Sequence, residues 1–172
     1  LATPFYAAEE YHQNYYAKLR RFTKLACMLV LGVGLVARAH AQSKRLLNLD
    51  KSGVAVQGYD PVAFFTDGKP VKGNWQFTSS LKGATYYFAS AEHKAAFDKE
   101  PAKYEPQFGG YCAYGLSKNK LVPIEVDDFQ VVNGRLLLQY DKGIRDKFNK
   151  DTQGNLKLAD ANWPGIVSAK GK

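Results

Sequence analysis

Strand-forming residues concentrate in two pairs of short runs, and each pair is separated by a turn signal. The runs and turns are Trp75–Ser79 and Thr85–Ala89 around Lys82-Gly83, then Phe129–Val132 and Arg135–Gln139 around Asn133-Gly134. Aromatic and β-branched residues favour strands, and Asn-Gly is among the strongest short hairpin signals. The pattern predicts two β-hairpins.

Helix signals follow both hairpins. Ser90 is a favourable N-cap for a helix over Ala91–Lys99, and a polar helix is predicted at Lys142–Lys150. A last helix over Asn155–Trp163 is expected to end at Pro164, because proline lacks the N–H that continues a helix. The pattern therefore predicts a small α+β single domain with two β-hairpins, each followed by a helix.

The chain before the first hairpin carries shorter signals. Val54–Val56 is predicted to form a strand. Asp60 is suited to cap a brief helix over Pro61–Phe65, since proline is favoured at the first helical position. Trp75 and Trp163 are expected to anchor the core.

The N-terminal region has the layout of a secretory signal peptide. In residues 18–41 a basic cluster precedes the apolar run Leu25–Ala37, and the small residues Ala39 and Ala41 follow. The run is shorter than the roughly 20 residues that span a bilayer. We expect cleavage after Ala41 and export to the periplasm or the medium of a bacterium, with an uncleaved membrane anchor as the alternative.

Residues 1–17 do not belong before a signal peptide. The run from Pro4 to Lys18 resembles the C-terminal tail of the peptide methionine sulfoxide reductase A family. The nucleophile motif of that family is missing from this chain. We interpret residues 1–17 as extraneous, residues 18–41 as the signal peptide and residues 42–172 as the domain, with its core at 53–167.

The positive charge is spread along the chain. The formal net charge is +8, and it falls to +5 when residues 1–41 are removed. No block of five like charges remains, so a nucleic-acid-binding stripe is not predicted.

Soft metal ligands are scarce in the predicted domain. Residues 42–172 hold one histidine, His93, one cysteine, Cys112, and no methionine. A closed structural zinc site needs four ligands, so a cysteine-rich tetrahedral site is excluded. A single cysteine also cannot form a disulfide within this segment.

Several motifs together resemble the YHS domain. They are Tyr59–Phe65, Gly83–His93, Gly109–Ala113 and Ala159–Pro164, and the resemblance spans roughly residues 53–167. The resemblance is to the stand-alone exported YHS proteins of bacteria. The resemblance implies a small α+β fold and metal binding, although Ala63, Ala89 and His93 stand where metal-handling relatives carry cysteine.

The resemblance and the ligand count point to one candidate site. His93 and Cys112 are the predicted metal ligands, and imidazole with thiolate favours copper or zinc. Tyr59, Asp60, Tyr87 and Tyr111 are the candidate pocket residues. Each has a structural alternative: His93 and Asp60 at helix caps, Cys112 as loop filling, and the tyrosines as packing aromatics.

The sequence favours an exported protein that binds a transition metal or a small ligand without catalysis. One alternative is a structural or protein-interaction module that holds no metal. A weaker alternative is a thiol enzyme that depends on Cys112.

Overall fold

Two antiparallel β-hairpins organise the computed structural model, which describes residues 44–172. Strand β1 (Asn74–Leu81) pairs with β2 (Ala84–Phe88), and β3 (Glu125–Val132) pairs with β4 (Arg135–Gln139). The Asn133-Gly134 turn has φ values of 52° and 74°, as a two-residue hairpin turn with positive φ requires. Both predicted hairpins are confirmed. The predicted signal peptide and the segment before it lie outside the described residues.

Each hairpin is followed by a capped helix, as predicted. Helix α2 (Ala91–Lys99) begins after Ser90, and α5 (Lys142–Asn149) begins after Asp141. The Asp141 carboxylate accepts the N–H of Ile144 at 2.7 Å, which satisfies a backbone donor that has no partner within the helix. Short helices α1 (Ala63–Thr66), α3 (Pro101–Tyr104) and α4 (Ala113–Ser117) fill the connections. The α+β fold class is confirmed.

The last helix is longer than predicted. Helix α6 runs over Thr152–Lys170 and passes through Pro164, so the predicted end at Pro164 is wrong. Ala159 before the proline and Ile166 after it are both buried in the same apolar cluster. Tertiary packing on both sides of Pro164 therefore outweighs the loss of one backbone hydrogen bond.

Two apolar clusters meet at β4. Leu136 and Leu138 belong to the larger cluster, and Leu137 belongs to the second, with Phe148 and Leu156. Successive residues of a strand point to opposite faces. Strand β4 is thus buried on both sides and connects the two parts of the core.

Two local predictions differ from the structure. Val54–Val56 does not form a strand, because Val54 and Ala55 make only isolated bridges and a 3₁₀ turn covers Val56–Gly58. Trp75 is 73% exposed and does not anchor the core. Within residues 44–172 no helix is long and apolar enough to cross a membrane.

Candidate functional site

Asp60 is a fully buried carboxylate that joins two elements of the first hairpin region. Its Oδ1 accepts the N–H groups of Val62 at 2.8 Å and Ala63 at 3.4 Å, at the start of α1. Its Oδ2 accepts the N–H of Ala89, directly after β2, at 2.8 Å. The predicted capping role of Asp60 is therefore observed, but it uses only part of the carboxylate.

The second role of Asp60 is to orient His93. The His93 Nδ1 lies 2.7 Å from Asp60 Oδ2, and the His93 side chain keeps 21% of its surface exposed. His93 is in the first turn of α2, where its backbone N–H donates to Ser90 Oγ at 3.2 Å. The N-cap fixes the backbone of His93 and the buried carboxylate fixes its ring.

The accepting carboxylate decides which ring nitrogen of neutral His93 holds the proton. Because Asp60 Oδ2 accepts a hydrogen bond, the proton lies on Nδ1 and the lone pair on Nε2. Carboxylates orient metal-binding histidines in this way, since the hydrogen bond fixes the tautomer and raises the basicity of the ring. Nε2 is therefore the nitrogen that is left for a ligand.

Thr66 and Asp67 lie beside this nitrogen. Thr66 Oγ1 is 3.4 Å from His93 Nε2 but only 2.7 Å from Asp67 Oδ1. Because the Asp67 carboxylate is the closer acceptor, the Thr66 hydroxyl donates its proton to Asp67. Thr66 is therefore not positioned to act as a nucleophile that His93 activates. The exposed edge instead offers an imidazole nitrogen, a hydroxyl and a carboxylate.

The groups that Cys112 contacts differ from those that His93 contacts. Its side chain is fully buried, caps α4 by accepting the N–H of Gly115 at 3.4 Å, and donates to Gln139 Oε1 at 3.3 Å. Burial raises the pKa of the Cys112 thiol. A thiol of this kind is poorly suited to act as a nucleophile or a metal ligand, because both roles need the thiolate.

His93 and Cys112 have no hydrogen-bond partner in common within residues 44–172. His93 contacts Asp60, Ser90 and Thr66, whereas Cys112 contacts the Gly115 and Gln139 groups. That both side chains ligate one ion stays a prediction.

The candidate tyrosines contact different segments. The Lys72 ammonium lies 4.4 Å from the centre of the Tyr59 ring, and Tyr87 packs against Gly73 so closely that a Cβ on Gly73 would lie 2.5 Å from the Tyr87 Cβ. The Tyr111 hydroxyl donates to the Leu47 carbonyl at 3.4 Å, and burial raises its pKa. Of the four pocket candidates, only Asp60 makes a hydrogen bond to His93.

A closed metal site does not fit the described residues. No group of three or more histidine, cysteine, aspartate or glutamate side chains in residues 44–172 is arranged to hold an ion. An open site does fit, with His93 Nε2 as the nitrogen ligand and the Asp67 carboxylate, which Thr66 Oγ1 connects to that nitrogen, as a second candidate ligand. Sequence reasoning missed Thr66 and Asp67, although both follow the predicted helix at Pro61–Phe65.

Comparison with family models places these elements in a known module. Residues 62–107 match the model of the YHS domain. The chain contains a YHS domain. The matched region includes α1, the first hairpin and His93, whereas Asp60 lies just before it. No curated protein and no solved structure gives a significant match to the chain. The YHS family is associated with metal binding, and this is the general class of function that the sequence predicts.

Removal of the Asp60 carboxylate should destabilise the domain more than removal of an ordinary helix cap. We expect Asp60→Ala to lower the free energy of unfolding by about 3 kcal/mol or more, because buried donors lose their only partner. The matched variant Asp141→Ala should cost about 1 kcal/mol, the usual effect of an N-cap. Urea unfolding measures both. Equal effects of the two substitutions would contradict the central role of Asp60.

Proposed function

We propose that this chain is an exported YHS-domain protein that binds a copper or zinc ion through His93 Nε2 and does not catalyse a reaction. The observation that carries the proposal is the 2.7 Å hydrogen bond between the buried Asp60 carboxylate and His93 Nδ1. It supports a ring whose Nδ1 donates to Asp60 and whose Nε2 is available at the surface.

The neighbouring groups support an open coordination sphere. Imidazole nitrogen suits copper and zinc, and the Asp67 carboxylate lies on the same exposed edge as Nε2. Water would complete the coordination. One imidazole with one carboxylate should give a dissociation constant on the order of 10 µM, which corresponds to about 7 kcal/mol. When bound, the ion would supply a positive, exchangeable site at the surface.

The contacts of the two polar candidates support a binding role over a catalytic one. The Cys112 thiol is buried and its pKa is raised, and the Thr66 hydroxyl is directed to Asp67. Neither group is activated as a nucleophile. The geometry also favours His93 over Cys112 as the metal ligand.

Metal titration of the full chain tests the binding proposal. His93→Asn is the informative variant, because its amide N–H can still donate to Asp60 while Nε2 is lost. We expect this variant to lose at least tenfold in affinity for Cu(II) or Zn(II), measured by calorimetry. Cys112→Ser should bind as wild type does. Uptake is compared between variants, because residues 1–41 contain His12, His40 and Cys27, whose side chains are also of metal-binding type.

Three outcomes would contradict the proposal in different ways. Equal uptake by wild type and His93→Asn would exclude His93 as a ligand. Loss of uptake in both His93→Asn and Cys112→Ser would support the shared site that the sequence predicts. Absence of any uptake would favour an interaction module that holds no metal.

Export is supported by the layout of residues 18–41, with its basic cluster, apolar run and Ala39-His40-Ala41. We expect the chain, expressed in a bacterium, to yield a periplasmic or secreted product that begins at Gln42. Intact-mass analysis of the fractionated cells measures this. A product that remains in the cytoplasm with residues 18–41 attached would contradict export.

A further inference from the structure

A cavity of about 290 Å³ lies between the N-terminal segment 44–47, the chain after α3 and the end of α6. Arg45, Lys82, Tyr86, Phe108 and Trp163 are among its lining residues, and His93 is not. The volume lies just below the range of roughly 300–1,000 Å³ that small-molecule pockets occupy. A ligand with a single ring fits this size better than a nucleotide does.

Hydrogen bonds hold the segments around the cavity in place. The N–H of Asn48 donates to the Gly109 carbonyl at 2.8 Å, and its side-chain amide donates to the Gly110 carbonyl at 3.0 Å. Arg45 and Lys172 exchange two backbone hydrogen bonds, at 3.0 and 2.9 Å. Gly109 has a φ of +59°, and a Cβ there would collide with the Leu46 carbonyl. The cavity is therefore a preformed feature of the fold.

One wall of the cavity is aromatic. The rings of Phe108 and Trp163 are 6.0 Å apart, centre to centre, at an interplanar angle of 73°. Phe108 is buried, and Trp163 is only partly covered. An aromatic ring placed against this pair would find the edge-to-face geometry that such rings prefer.

The other wall carries a hydroxyl without a partner. Tyr86 is 2% exposed, and its hydroxyl makes no hydrogen bond to any group in residues 44–172. Burial and the nearby Glu105 carboxylate raise the pKa of Tyr86 above its ordinary value, so the hydroxyl stays protonated as a donor. Tyr86 lines the cavity, and a hydroxyl without a protein partner can donate to an acceptor oxygen of a ligand.

The charges around the cavity favour an anion. Lys44, Arg45 and Lys82 line it together with a single acidic residue, Glu105. Lys82 neutralises Glu105 across 2.7 Å, and the Lys44 ammonium donates to the Ser168 carbonyl at 2.9 Å. Arg45 makes no ion pair within residues 44–172, so its guanidinium is available to a carboxylate.

We propose that this cavity binds a small aromatic carboxylate. The ring of the ligand packs against Phe108 and Trp163, and its carboxylate accepts the Tyr86 hydroxyl and pairs with Arg45. This site is separate from the one proposed for metal at His93, and it does not depend on that proposal.

Benzoate and its neutral isostere benzamide are the probes, titrated into the full chain by calorimetry. We expect benzoate to bind at least tenfold more tightly than benzamide. Tyr86→Phe removes only the hydroxyl and should weaken benzoate binding about five- to tenfold, as expected for one lost hydrogen bond. Arg45→Gln should weaken it about tenfold. Lys150→Gln makes the same change in net charge at an exposed position outside the cavity and should have no effect.

Tryptophan fluorescence shows whether benzoate binds in this cavity. The chain has two tryptophans, and Trp75 is exposed away from the cavity lining. In a Trp75→Phe background, benzoate should therefore change the fluorescence of Trp163. His93→Asn should leave benzoate binding unchanged, which separates this test from the metal test.

Three results would overturn the inference. The first is no binding of benzoate at 10 mM, roughly the limit of weak association. The second is equal affinity for benzoate and benzamide. The third is an affinity that neither Tyr86→Phe nor Arg45→Gln changes more than Lys150→Gln does.

Discussion

The carboxylate of Asp60 constrains the first half of the domain, because a buried charge is stable only when its oxygens accept hydrogen bonds. Its donors are the N–H groups of Val62, Ala63 and Ala89 and the ring of His93. They come from the start of α1, the end of β2 and the first turn of α2. One side chain therefore sets the relative position of three elements, and the orientation of the imidazole follows from that requirement.

The chemically distinct side chains occupy three separate environments. Cys112 is enclosed by α4 and β4 and stabilises the fold, while His93 presents Nε2 at the surface. The cavity beside Phe108 and Trp163 gathers cationic groups and an unpartnered tyrosine hydroxyl at a third place. The proposed metal site at His93 and the proposed cavity site share no residue, so each proposed activity can be removed by itself.

Local signals predicted the parts of the fold that local geometry determines. Asn133-Gly134 forms its turn because these residues tolerate positive φ, and Ser90 starts α2 because its hydroxyl satisfies a free N–H. The end of α6 depends on distant packing of Ile166, which outweighs Pro164. The site was predictable in part: Asp60 and His93 stand in the motifs. Their direct contact depends on how α1 and α2 pack, which spacing along the chain cannot show.

The positions of the protons on the His93 ring show which nitrogen Asp60 leaves for a ligand. Nitrogen-15 NMR of the full chain, with His93 assigned by comparison with His93→Asn, distinguishes protonated from unprotonated ring nitrogens. We predict a proton on Nδ1 and a free lone pair on Nε2 in the neutral ring, and a change in the Nε2 chemical shift when Zn(II) is added. A proton on Nε2 would contradict it, because Asp60 would then not determine which nitrogen His93 presents.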